Sequence, residues 1–173
     1  MKIVRVGLVI CCLCAAAAGQ DRFEAGGHLG YGGFLEDENS GKRPLMGGHV
    51  GVRLGETRSL LFEYTQFRRS GDFGFRQRHN FLGLALHTEP RPWNRVRVWT
   101  SLGAGAGVRK RDYTGDRFSI ASDSKSFVAA HFGVGMAVDV GSRGFIRPGL
   151  RAYVWAPGVA LGLAPVITAG FRF

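Results

Sequence analysis

From Arg22 to the C-terminal Phe173 the chain alternates apolar residues with polar or small ones at a period of two, eight times over. Period-two alternation places successive side chains on opposite faces of a strand. The runs span Arg22–Phe34, Leu45–Leu54, Ser59–Phe67, His79–Thr88, Arg95–Arg109, Ser126–Val140, Phe145–Ala156 and a closing strand that starts near Pro165. The fifth run is the clearest: Val96, Val98, Thr100, Leu102, Ala104, Ala106 and Val108 alternate with Arg97, Trp99, Ser101, three glycines and Arg109. In the last run Ile167, Ala169, Phe171 and Phe173 oppose Thr168, Gly170 and Arg172. No sustained helical stripe interrupts the series.

The links between runs are expected to alternate in length. Long charged ones cover residues 36–44, 68–78 and 110–125, and tight ones cover 55–58, 89–94 and 141–144. Short turns at one end and longer loops at the other are the pattern of membrane barrels. Runs of roughly 9 to 14 residues also suit a tilted crossing of a bilayer, which needs about 9–11. The fold class expected is all-β, an eight-stranded antiparallel up-and-down transmembrane barrel.

Which face points inward follows from composition. The polar faces carry many glycines with scattered Arg, Glu and His, and a lumen of eight strands leaves room only for side chains. A soluble barrel would instead show Lys, Thr, Ser and Glu on its outer face and avoid glycine within strands. The apolar rows are therefore assigned to lipid. Phe23, Trp93 and Phe173 are expected as an aromatic girdle at one interface, with Tyr31 and Trp155 at the other.

The first residues have a different character. Lys2 and Arg5 precede an apolar run from Val6 to Ala18, and small residues follow. This has the form of a secretory signal peptide over residues 1–19, cut after Ala18 or Gly19, with the barrel domain at 20–173. Cys11, Cys12 and Cys14 all lie in that segment, so the exported chain would hold no disulfide or thiolate site. It keeps 21 basic against 13 acidic residues, a net charge of +8. For an exported protein the anionic partner is lipid or lipopolysaccharide phosphate rather than nucleic acid.

The candidate site is a charge network in the lumen: Glu24, Arg53, Glu63, Arg97, Asp139, Arg147, Arg151 and Arg172, with Arg109 on the same parity. Buried charges must pair, and arginine pairs two carboxylate oxygens at once. Such a network either gates an anion-preferring pore or plugs the interior; small barrels favour the plug. His28, His49, His87 and His131 also face inward, but on four strands and at different depths, which argues against a metal site. Ser101 and Ser126 show no base and acid at close spacing for acyl chemistry. The run Gly103-Ala-Gly-Ala-Gly107 lacks the helix that a dinucleotide site requires. The Arg68–Arg78 segment, with Phe73 and Phe75, is either a solvated loop or a phosphate-binding one.

Several stretches together resemble the small eight-stranded outer-membrane barrels of diderm bacteria, the group of the OmpA transmembrane domain, OmpX and OmpW. They are His79-Asn-Phe-Leu-Gly-Leu84, the glycine-rich Arg97–Gly107 strand, Phe145-Ile-Arg-Pro-Gly-Leu-Arg151 and the terminal phenylalanine. The resemblance implies residence in the outer membrane and insertion by the assembly machinery, with Phe171 and Phe173 as the assembly signal. It further implies a monomer without cofactor, in contact with outer-membrane lipid and lipopolysaccharide. The expected role is structural, adhesive or envelope interaction. A narrow porin-like pore and a lipid-modifying enzyme are the alternatives. Pro165 departs from the pattern and is expected to delay pairing of the closing strand. No periplasmic domain is expected after Phe173.

Overall fold

The computed structural model describes residues 22–35, 41–70, 75–90, 96–113, 122–157 and 160–173; the segment read as a signal peptide and Trp93 lie outside them. The strands are β1 Phe23–Leu35, β2 Gly41–Arg53, β3 Arg58–Ser70, β4 Phe75–Thr88, β5 Val96–Tyr113, β6 Ser122–Val140, β7 Gly144–Ala156 and β8 Ala160–Arg172. Each is antiparallel to its neighbours in the chain, and β8 pairs with β1 to close a barrel.

Closure is staggered. Paired residues lead once around from Glu24 to Gly51, Leu61, Ala85, Gly103, His131, Tyr153, Gly162 and back to β1 at Phe34. The circuit thus rises from position 24 to position 34, and this ten-residue shear sets the tilt of the strands. Beyond the last ladder pair, Phe23 and Phe173 exchange both backbone hydrogen bonds, at 3.1 and 2.8 Å. The C-terminal residue therefore seals the seam.

The inside–outside order of a water-soluble protein is reversed. Leu29, Leu102, Ile167 and Phe171 are 60–66 % exposed, whereas Glu24, Glu63, Arg147 and Arg151 are 0–3 % exposed. An apolar outer wall of this extent is stable only against hydrocarbon. The glycines explain how eight strands enclose large side chains. A Cβ on Gly133 or Gly135 would stand 2.8 Å from the Trp99 ring, and one on Gly149 would also collide with it. Trp99 is buried and donates its indole N–H to the Met136 carbonyl at 3.1 Å.

Four expectations change. Pairing does not wait for Pro165, because β8 begins at Ala160 and Pro165 sits opposite Leu150 of β7. Its missing N–H falls toward β1, where the ladder skips from Gly30↔Val166 to Gly33↔Leu163. Pro148 occupies the matching gap between β6 and β7. Trp155 is no girdle residue; it is 5 % exposed and packs inside. The long links are shorter than expected, since Arg68–Ser70, 75–78, 110–113 and 122–125 all continue the strands. Backbone pairing needs no apolar face, so it runs on beyond the alternating segment. The long–short alternation of the links is correspondingly weakened, with only residues 71–74 between β3 and β4.

Placing arginine at Leu102, near mid-height on the lipid wall, is expected to cost about 2–4 kcal/mol in urea unfolding of the barrel in vesicles. A change near zero would contradict the assignment of that wall to lipid.

Candidate functional site

The inward rows stack in three layers. The lowest lies at the end where β1 begins and β8 ends, here called periplasmic. Arg147 at the start of β7 reaches across to β1, where its Nη1 and Nη2 donate to Glu24 Oε1 and Oε2 at 2.8 and 3.2 Å. Its Nε donates to Glu89 Oε1 at 2.6 Å. Glu89 also accepts from Arg172 Nη2 at 3.2 Å and lies 3.3 Å from Arg97 Nε. Arg97 and Arg172 then converge on Asp139. Three arginines thus face three carboxylates, drawn from β1, β5, β6, β7, β8 and the end of β4. Ser59 Oγ donates to Glu24 at 3.3 Å, His49 lies 3.5 Å from Glu24, and His87 lies 3.1 Å from Glu89. The Arg147 guanidinium also stacks on the Phe145 ring, 3.8 Å from its centroid.

The second layer is a single bidentate pair. Arg151 Nη2 and Nη1 donate to Glu63 Oε1 and Oε2 at 3.1 and 3.3 Å. His131 Nε2 lies 3.2 Å from the same carboxylate, and His28 pairs with Thr65 Oγ1 at 3.0 Å. Both charges are fully desolvated, and a bidentate fork is the geometry that best offsets that cost.

The third layer is aromatic. Phe67 meets Tyr153 edge-on at 5.0 Å between centroids and Trp155 at 5.8 Å. His79 packs on Trp155 and Phe127. Arg43 is fully buried, and its Nη1 stands 3.0 Å from His79 Nδ1. Leu45, Phe81 and Val166 belong to this layer, which lies toward the extracellular side of the lumen.

The structure therefore joins Glu24, Arg97, Asp139, Arg147 and Arg172 in one cluster and Glu63 with Arg151 in another. Arg53 stands at the periplasmic rim and donates to the Glu56 carbonyl at 3.0 Å. Phe171 lies on the lipid wall, and Phe173 closes the seam. Glu89 was the central omission. Read as part of a turn, it in fact extends the inward row of Gly83, Ala85 and His87 by one more odd position. The same parity would have found Arg43 on β2 and Gln77 and His79 on β4. The inward serine Ser59 was also missed. It does not make a catalytic relay, since a relay places the histidine between serine and acid. Here Glu24 stands between Ser59 and His49.

No protein-family model matches this sequence, and no curated protein matches it. Solved structures do resemble it. Neisserial surface protein A superposes with a TM-score of 0.73 at 13 % identity, over 87 % of this chain and 97 % of that one. The attachment invasion locus protein of Yersinia pestis, Ail, solved in complex with the heparin analogue sucrose octasulfate, gives 0.57 at 17 % identity over 88 % and 99 %. The N-terminal β-barrel domain of Pseudomonas aeruginosa OprF gives 0.57 at 14 % identity over 87 % and 97 %. The chain has the fold of the eight-stranded outer-membrane barrels.

Glu63→Gln removes the charge partner of a buried guanidinium and is expected to lower stability by about 3–5 kcal/mol. The double change Glu63→Leu with Arg151→Met should recover most of that loss, and urea titration of both variants in detergent checks it. Equal losses in the single and double variants would show that the pair is not coupled.

Proposed function

We propose that the protein resides in the bacterial outer membrane as a non-conducting barrel and acts through its surface, in a structural, adhesive or envelope-contacting role. The observation that carries this reading is the filled interior. Three layers of paired charge and packed aromatics occupy the lumen among the described residues, and the ion pairs Arg147–Glu24 and Arg151–Glu63 each join two distant strands. A gating network would need charges lining open water; these are buried and pair with one another. Ail, a barrel of the same fold, was solved with a polysulfated ligand, which supports anionic partners for a chain with an excess of basic residues. Glu24, Glu63, Arg147 and Arg151 then serve to hold the wall rigid. A lipid-modifying activity finds no support in the hydrogen bonds of the described residues: Ser59 Oγ donates to Glu24, and Ser101 Oγ, opposite His87 in the ladder, makes none.

Planar-bilayer recording tests the reading. The folded chain is expected to insert without producing steady single-channel conductance at neutral pH. Steady currents that change ion preference in Arg147→Ala or Arg151→Ala would favour the pore instead.

Phe173 is further proposed as part of the signal read by the outer-membrane assembly machinery, with Phe171 beside it. Deleting Phe173 is expected to reduce folded, heat-modifiable barrel in the outer-membrane fraction several-fold. Folding of the same variant from urea into detergent micelles should change much less. Equal losses in both assays would mean that Phe173 acts only by sealing the seam.

A further inference from the structure

The outer wall of β3, β4 and β5 carries a second arrangement, unrelated to the lumen. On β3 the outward residues run Phe62, Tyr64, Gln66 and Arg68 toward the extracellular end, and on β4 they run Leu82, Asn80, Arg78 and Arg76. The order on both strands is apolar, then hydroxyl or amide, then cation. The middle tier is already bonded together. Tyr64 Oη donates to Asn80 Oδ1 at 2.9 Å, and Gln66 Nε2 donates to the same oxygen at 2.7 Å and to Tyr64 Oη at 3.1 Å.

The cation tier is costly as it stands. Arg68 lies directly opposite Arg78, and Arg78 lies directly opposite Lys110 of β5. Like charges directly opposite on paired strands repel. The partners seen there offset little of this: Arg68 Nε donates to neutral Gln66 at 2.5 Å, and Arg78 lies 3.8 Å from Asp112. Asp112 is a single carboxylate, directly opposite Arg76 and 3.8 Å from Arg78. Arg68, Arg76 and Arg78, with Arg69 and Gln77, also line a polar hollow of about 340 Å³. Among the described residues the tier stands on one arc of the barrel, with the exposed Lys42 of β2 at its flank. On the facing arc the outward rows stay uncharged to their ends, through Leu29, Tyr31 and Leu35 on β1 and Leu163 and Leu161 on β8. A general affinity for headgroups would ring the barrel with cations, and this one does not.

We infer that the β3–β5 wall is a binding site for a phosphorylated glycolipid of the outer leaflet. Acyl chains would lie on Phe62, Leu82 and Leu84, sugar hydroxyls would meet the Tyr64–Gln66–Asn80 tier, and phosphate would bridge Arg68, Arg78 and Lys110. Phosphate between the facing cations turns their repulsion into shared attraction. The inference rests on the outer-membrane reading and supplies one envelope partner for it.

The test is urea unfolding of the full chain, followed by heat-modifiable gel mobility, in phosphatidylcholine vesicles of four kinds. One is plain, and the others contain bisphosphorylated lipid A, dephosphorylated lipid A or phosphatidylglycerol. Lipid A is expected to raise the unfolding midpoint, and the dephosphorylated form to do so little or not at all. The triple variant Arg68→Gln, Arg78→Gln, Lys110→Gln should bind lipid A about tenfold more weakly. In plain vesicles it should be as stable as the parent or more so, because the repulsion is gone. Arg58→Gln, at the other end of β3, should keep the full response. A triple variant that responds like the parent would overturn the site. So would equal stabilisation by dephosphorylated lipid A or by phosphatidylglycerol. A chain that forms no heat-modifiable barrel in any vesicle would overturn the outer-membrane reading itself, and the site with it.

Discussion

Strands can cross hydrocarbon only if no backbone edge is left open, because lipid offers nothing for an N–H or C=O to bond. The β1–β8 seam meets that requirement here, and the rest of the structure depends on it. The seam forces a circular order of eight strands and a stagger of ten residues. Its weak points are chemically marked. Pro165 has no N–H to give β1, and Pro148 none to give β6, so each lies where the ladder already skips. At the periplasmic end Phe23 and Phe173 bond to each other, which makes Phe173 a structural element of the seam.

Closing eight strands leaves a narrow interior, and that narrowness dictates its chemistry. Glycines on facing strands make room for Trp99, His131 and Phe127. Charges that share this space are desolvated, so they persist only as matched sets. The matching is close: three arginines against three carboxylates in the lower layer, and one against one above it. A rigid, filled barrel of this kind moves any function to its surfaces. The uneven outer wall, charged on β3–β5 and apolar on β1 and β8, is one such surface.

Much of this was legible from alternation. Glu24, Glu63, Arg147, Arg151 and Arg172 were placed inward by parity; the first four are buried and Arg172 is half-buried. The errors share one cause. Residues beyond the apolar stretch were read as links, so Glu89, Arg43 and Gln77 went unassigned and Arg68–Arg78 was read as loop. Alternation stops being visible once both faces are polar, yet backbone pairing continues past that point. Trp155 misled for a related reason: a tryptophan near a strand end fits a girdle by type, and only its odd position, shared with Arg151 and Tyr153, turns it inward.

By itself the sequence determined the period, the number of strands, the face of most residues within the alternating runs and the reversal of inside and outside. These are local properties, set by a pleat that alternates whatever the neighbouring strand does. Only the tertiary structure decided which charges meet. Arg147 joins Glu24, 123 residues away, and Arg151 joins Glu63, 88 away. Those encounters depend on the register of every pair in the circuit and on its accumulated shear. A one-residue slip anywhere would flip a whole row of side chains, and no single strand encodes that sum.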